Sequence, residues 1–436
     1  FQAEDGIRDR SPSRGLGDVY KRQIILCAFS AFGQSDYYWV GGTGNWSNYS
    51  SHWATSSGGN IFHTTTPSSN DNVIFDSNSF SANSQTVTLN ADNESVGNMT
   101  WLGVTNTPTF NMSSKQLMVH GSITYDPIMT INSPGTLTFT STNTSFLISG
   151  GHRIGNVYVD KNGGIFNQLD NFMSNGYTFE VRAGSTFNSN DYDIYFNTIR
   201  FKGSPTGSTT TTINTGTSEI TVKNGELSIQ SESNYPNIIT HLASSTIYID
   251  RASLNGGYYS VDNFGHVITK NMPTWREIGY RVDRIRKLEI TQGTSYQNDY
   301  TKIHSYFGDH HNSNLDGGII DTLIVSKYTR FENNFNTIIG DIEFKGDALT
   351  AIFGSSGTFT VSNSLTFQGG NCSVTTLKST SAGNQANINL LFTNTVTATN
   401  LSIKDMAFTG SGTLVAQASV DNGNNSGVII NELNSR

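Results

Sequence analysis

The string Phe196-Asn-Thr-Ile-Arg-Phe-Lys-Gly203 returns as Phe335-Asn-Thr-Ile-Ile-Gly-Asp-Ile-Glu-Phe-Lys-Gly346. The first copy leads to Glu219-Ile-Thr-Val-Lys-Asn-Gly-Glu-Leu-Ser-Ile-Gln230 and the second to Thr358-Phe-Thr-Val-Ser-Asn-Ser-Leu-Thr-Phe-Gln368, so Ile-Thr-Val-x-Asn answers Phe-Thr-Val-x-Asn and Leu-Ser-Ile-Gln answers Leu-Thr-Phe-Gln. A short unit with one apolar face cannot bury that face alone. Repetition therefore implies stacking, each layer contacting its neighbours.

The units are strands. Val73-Ile-Phe75, Thr86-Val-Thr-Leu89, Leu117-Met-Val119, Thr136-Leu-Thr-Phe139 and Phe146-Leu-Ile148 are short alternating runs that close on Gly, Asn or Ser. An element of apolar, any, apolar, turn recurs in Val96-Gly-Asn-Met-Thr-Trp101, Ile154-Gly-Asn-Val-Tyr-Val159 and Ala398-Thr-Asn-Leu-Ser-Ile403, and alternation over so few residues turns one face inward. The Asn-Gly hairpin signal is rare, Lys223-Asn-Gly225 being the clearest case, which favours a parallel stack over antiparallel sandwiches. The expected fold is all-β, a right-handed parallel β-helix or β-solenoid with a loop-rich N-terminal cap. A cap is needed because the first layer otherwise exposes its core and an unpaired edge.

That cap is expected over 34–70, where Trp39, Trp46 and Trp53 recur every seventh residue. Gly41, Gly42 and Gly44 argue against a helix there, each costing about 1 kcal/mol relative to Ala. The solenoid is expected over 71–250 and again over 322–430, with an irregular insert at 251–321 and a truncated end at 431–436. The insert carries Trp275, Arg276, Arg281, Arg284, Arg286 and Lys287, and a polar loop at His310-His311.

Charged residues make up 14% of the chain, against roughly a quarter in an ordinary soluble domain, and the net charge is −8. Asn, Ser and Thr supply the polarity instead. With no basic stripe, nucleic acid is not an expected partner. Aromatic residues at 11% provide a core that a disordered chain lacks. No run is long and apolar enough to span a membrane. Residues 1–23 resemble translated sequencing-adapter read-through, as at the start of metagenomic fragments. Residues 24–33 (Ile24 to Gly33) read as a truncated signal peptide, with Gln34 the expected mature N-terminus. Bulky Leu26 argues against Cys27 as a lipoprotein cysteine. Cys372 is then the single thiol of the mature chain, and no disulfide framework is expected.

Three segments together resemble the repetitive, very large surface proteins of Bacteroidota: Tyr38-Trp-Val-Gly-Gly-Thr-Gly-Asn-Trp-Ser with His52-Trp-Ala54, then Asn70-Asp-Asn-Val-Ile-Phe-Asp-Ser-Asn-Ser-Phe80, and Leu401-Ser-Ile-Lys-Asp405 leading to Asp421-Asn-Gly-Asn-Asn-Ser-Gly427. The similarity covers most of residues 36–430. It implies export, commonly by the type IX system, and display as an adhesin-like β-helical stalk within a longer polypeptide, and it brings no catalytic residues. In that family Gly-Asn-Asn-x-Gly is usually followed by Trp; here Val428 stands there.

Parallel β-helices also house polysaccharide lyases and glycosidases, so a carbohydrate-active enzyme is the alternative. Hydrolysis needs two carboxylates roughly 5–9.5 Å apart, and a lyase needs an acidic Ca²⁺ cluster beside a base. Asp191 and Asp193 share a strand spacing but read more naturally as a turn around Tyr192. Asp309-His310-His311 with Asp316 reads as a solvated loop rather than a metal site. The basic cluster Arg276 to Lys287 reads as a solvated face whose Arg stems cover apolar surface. Tyr37, Tyr38, Trp39, Trp46 and Trp53 could stack on sugar rings but read more naturally as packing of the cap against the first coil; Tyr38, Trp39, Trp46 and Trp53 are the candidate glycan contacts. Asp321-Thr322-Leu323 resembles the short site at which Bacteroidota attach O-glycans, making Thr322 a candidate. The sequence reads as an extracellular, non-catalytic module touching glycans or cell surfaces, with neither metal nor cofactor. A dedicated sugar-binding module using the N-terminal aromatics is the third reading.

Overall fold

The computed structural model describes residues 33–432 apart from 133, 205–207, 231–237, 256–262, 271–276, 281–283, 291–300, 305–318, 327, 333–336 and 370–372. The adapter-like and signal-like stretches, Cys372, Trp275, Arg276, Arg281, Asp309, the His310-His311 pair and Asp316 lie outside the described residues. The described residues from Asp36 onward form one compact unit.

This unit is a parallel β-solenoid of about 13 turns. Its coils place strands on successive faces. Face one runs from Asp36–Trp39 through Asn72–Phe75, Met99–Trp101 and Ser145–Ile148 to Ile238–His241. Face two holds four short strands, Gly44–Asn45, Thr86–Thr88, Thr109–Asn111 and Thr130–Asn132; from Phe172–Met173 onward an eleven-stranded sheet takes its place in the order of the coil and extends to Met406–Gly410. Face three stacks Glu94–Val96, Gln116–Val119, Thr136–Phe139, Asn156–Val159, Thr178–Val181, Thr198–Lys202 and Glu226–Gln230, and continues toward the C-terminal end.

In-register parallel pairing brings like residues together between coils. Val96, Val119, Phe139, Val159, Val181, Phe201 and Ile229 form one continuous buried column on face three. On face two Ile220, Ile247, Val267, Leu288, Leu323, Ile342 and Leu365 form another. Such columns explain the alternation: the inward residue of each strand meets its counterpart above and below, and its neighbours meet solvent. Polar columns form as well. Asn188 Nδ2 donates to Asn167 Oδ1 (2.9 Å) and Asn214 Nδ2 to Asn188 Oδ1 (2.8 Å). Inside the coil Ser218 Oγ donates to Ser189 Oγ (2.8 Å), and the Thr215 and Ser245 hydroxyls lie 2.6 Å apart, which satisfies hydroxyls that burial would otherwise penalise.

The N-terminal segment closes the stack on one side. Asp36–Trp39 pairs in parallel with Asn72–Phe75, while its other edge is taken by Trp53–Ala54 running antiparallel. An antiparallel return ends the ladder, so the apolar columns stop beneath it. A one-turn helix at Tyr49–His52 follows the glycines, which end before it and so do not oppose it.

The expected irregular insert at 251–321 is corrected by strands that continue the stack. Asn263–Lys270, Arg284–Ile290 and Ile319–Val325 pair in parallel within face two, and Ser253–Asn255, Glu277–Tyr280 and Thr301–His304 within face three. Each long strand includes a pair of buried residues three positions apart, Phe264 and Val267, Ile285 and Leu288, Ile320 and Leu323. The out-of-phase step falls at the same level in each rung, and it erases the period of two by which strands are recognised. Arg286 at that step is exposed, so the basic residues there sit on a strand and not in a loop.

The two sequence copies are not structurally equivalent. In the first, the chain turns from face two, Glu219–Lys223, onto face three, Glu226–Gln230. Asn224 takes φ +67° at this corner, and a side chain at Gly225 would run into the Asn197 carbonyl oxygen. In the second copy one residue is missing between the apolar pairs, and Thr358–Gln368 stays on face two, with a bulge at Ser362 and Asn363 opposite Gly340 in place of the corner. Leu365 consequently stands on the column of Ile220, not on that of Leu227.

Candidate functional site

The N-terminal aromatics form a packed core. Trp39, Trp46 and Trp53 are each 0% exposed, in keeping with the packing of a cap, and as candidate glycan contacts they are corrected, since they present no face to a sugar. Trp53 meets Trp39 and Trp46 edge-on, with centroids 4.8 and 4.9 Å apart, and Phe75 stacks on Trp101 at 3.7 Å. Trp39 Nε1 donates to Gly42 O and Trp53 Nε1 to Trp46 O, both at 2.8 Å, whereas Trp46 Nε1 is buried without a partner. His52 and His63 close the outer side, stacked on Trp39 and Tyr37. Tyr38, pointing away from this core on the same strand, is half-buried. The seven-residue spacing therefore reflects how often the segment returns to the axis of the coil.

Carboxylates are engaged in binding coils together. Asp191 lies in a turn at φ +65° and accepts from the Thr217 amide (2.7 Å) and hydroxyl (3.0 Å), bonds that hold it below the usual carboxylate range. Asp193 accepts from the Glu219 amide, Asp126 from the Gly103 amide, and Asp170 from the Ser149 and Gly150 amides. Asp191 and Asp193, the nearest sequence approach to a dyad, each reach the next coil instead of facing each other across a cleft.

One buried ion network lies on face three. Both Glu180 oxygens are taken, by Arg182 Nε at 2.9 Å and Lys202 Nζ at 3.2 Å, and Arg182 also reaches Asp160 and lies over the Tyr158 ring. Burial works to raise the Glu180 carboxyl, but the bonds and charges of Arg182 and Lys202 outweigh it and leave it low. A carboxylate so held carries no proton to donate near neutrality. Lys161 is different: its side chain is wholly buried, Nζ donates to Thr140 O (3.1 Å) and Ser141 Oγ (3.2 Å), and burial pushes it down to about 8. Thr322 is half-buried in mid-strand, level with Lys287 and Asp341 on the flanking coils. Among the described residues, no three His, Cys, Asp or Glu side chains are placed to hold a metal, and no helix is long and apolar enough to cross a membrane.

Near the C-terminal end the stack opens. Thr358–Gln368 pairs with Thr337–Lys345 along one side, but on the other Ala386–Leu390 covers only Thr358–Val361. The chain leaves through exposed Leu391 and returns as Thr395–Thr399, which pairs with Thr413–Gln417 rather than with Ser364–Gln368. A groove of about 450 Å³ remains between them, with Leu365, Phe367, Phe392 and Val396 below and Asn, Ser, Thr and Gln side chains on the walls. Its signal in the sequence is faint, because a missing pairing leaves no motif. No family model, curated protein or solved structure matches the chain.

Proposed function

We infer that this chain is a non-catalytic structural module of an adhesin-like extracellular surface protein, a β-solenoid stalk that contacts glycans or other surfaces and belongs to a longer polypeptide. The observation that carries this reading is the use of the acidic side chains: Asp126, Asp170, Asp191 and Asp193 bond to main-chain amides of neighbouring coils and Glu180 is held in an ion network, which commits these five carboxylates to holding coils together, as suits a scaffold. The neutral, hydroxyl- and amide-rich surface supports the extracellular placement, as does the resemblance of residues 36–430 to Bacteroidota surface repeats. Thr322 and Tyr38 are its candidate points of glycan attachment and glycan contact.

The test is a depolymerisation screen of the purified protein on pectins, alginates, glycosaminoglycans and neutral glycans, with and without Ca²⁺. Neither new reducing ends nor the absorbance of unsaturated uronates is expected. Sustained turnover of one polymer, abolished by replacing a single Asp, Glu or Arg, would sink this reading in favour of the enzyme.

A further inference from the structure

We propose that the groove between Ser364–Gln368 and Asn394–Thr397 binds an uncharged oligosaccharide. The inference rests on the reading of the chain as a surface module and names where and what it binds.

Four observations converge on this groove. It interrupts an otherwise continuous face: the column from Ile220 to Leu365 gains a paired strand at every coil until Ser364–Gln368, where the next strand stands apart. Its volume, about 450 Å³, lies within the range of small-ligand sites. Its floor is apolar and partly aromatic, with Phe367 and Phe392 half-buried, and Phe367 is supported from behind by Phe344 at 5.0 Å. A half-open apolar floor fits the C–H face of a pyranose.

The walls carry the fourth observation. On the inner coils Asn side chains can be tied up from strand to strand, as in the Asn167, Asn188 and Asn214 column, and in the groove itself Ser364 donates to Asp341 and Thr366 to the Ile342 carbonyl. Around the groove the exposed side chains of Gln368, Asn394, Thr395 and Thr397 have no hydrogen-bond partner among the described residues. They are amides and hydroxyls, able to donate and accept, and they project from both sides. No charged residue lines the groove, so a uronate or sulfated polymer would find no counter-charge. An extended peptide would pair with the open edge of Ser364–Gln368 alone, whereas a hydroxyl-rich ligand would also use the free side chains on the two walls, and the peptide comparator below separates the two.

Calorimetric titration of the full chain tests this, with cello-, xylo-, manno-, malto- and laminari-oligosaccharides as probes. Polygalacturonate fragments and an uncharged peptide of alternating Thr and Val are the comparators. At least one neutral oligosaccharide is expected to bind, and Gln368→Ala, Asn394→Ala and Thr397→Val should each weaken it about tenfold with the circular-dichroism melt unchanged. Thr397→Val keeps the shape and removes the hydroxyl, so its effect separates recognition from folding. Absence of binding by every neutral probe overturns the proposal, as does binding indifferent to all three variants or confined to polygalacturonate or the peptide. Those outcomes leave the stalk reading standing; turnover of the bound sugar would overturn that reading while leaving the groove.

Discussion

Replacing Lys161 with methionine should stabilise the protein at neutral pH. The ammonium is fully buried, held by the Thr140 carbonyl and the Ser141 hydroxyl, and no carboxylate lies within ion-pair distance among the described residues. Burial lowers it from 10.5 to about 8. At about 1.36 kcal/mol per pH unit, that difference amounts to ~3.4 kcal/mol. The group is a base held below its ordinary value, so the fold disfavours its charged form: the full cost is present below pH 8, declines between about 8 and 10.5, and is gone above. Methionine fills similar space without a charge but leaves the Thr140 carbonyl unpaired, a loss of about 1–2 kcal/mol. Ser141 keeps its bond to His120 O. The net expectation is a gain of about 1–2 kcal/mol at pH 7 that turns into a small loss near pH 10.5. Urea unfolding of both proteins at pH 7 and pH 10.5, with slopes checked for equality, measures this directly. His120 supplies a second readout, since burial and then the Lys161 charge hold it below 6.5, and its titration should move up in the variant. A Lys161→Met effect of the same size at both pH values, or a loss at pH 7, would refute the argument that an uncompensated charge is buried there.

The remaining predictions concern packing and pairing. Leu227→Asp, in mid-stack, should lose about 4 kcal/mol or more by forcing a carboxylate into a dry core, and Leu365→Asp less because it borders the groove; Lys223→Asp should stay within about 1 kcal/mol, and equal melts for all three would contradict the inward assignments. Trp53→Phe should cost about 1 kcal/mol more than Trp46→Phe, because only the Trp53 indole donates a hydrogen bond, to Trp46 O; equal melting midpoints would count against that bond. Glu180→Ala should destabilise by about 1–3 kcal/mol at pH 7 by leaving Arg182 and Lys202 facing each other. Glu180 is held below its ordinary 4.5, so its contribution is present above that value and disappears as pH falls through the lower folded one; the difference in stability between the two proteins should therefore shrink progressively as pH is lowered below 4.5.

The parallel stack was legible because alternation survives wherever a strand is straight and faces water on one side, as at Leu117-Met-Val119 or Glu219–Lys223. It became illegible where strands lengthened. Ile285 and Leu288, three apart, carry no period of two, and the basic residues beside them resemble a loop until the out-of-phase step is seen to recur in every rung. The aromatic residues of the opening segment were legible as a cluster that packs the cap, although stacking on a sugar and stacking on Phe75 demand the same residue type and only the fold decides between them. The groove was not legible at all. Its residues are ordinary, and what distinguishes them is that Thr395–Thr399 pairs with Thr413–Gln417 instead of with its neighbour below, a choice made by contacts distant in the sequence.

The corner at Asn224 and Gly225 bears on how such a chain changes over time. Its counterpart in the second copy lacks one residue and stays on face two, so a single-codon insertion or deletion decides which side of the coil a segment occupies. Because every side is a parallel sheet whose inward positions accept interchangeable aliphatic and aromatic side chains, the rerouted segment finds a column ready for it: Leu365 lies over Ile342 as comfortably as Leu227 lies beside Leu254. Duplication of a coil therefore need not preserve its phase to remain foldable. A fold of this kind tolerates length changes at its corners that would break a sandwich or a barrel, and its cross-section can be reshaped one residue at a time.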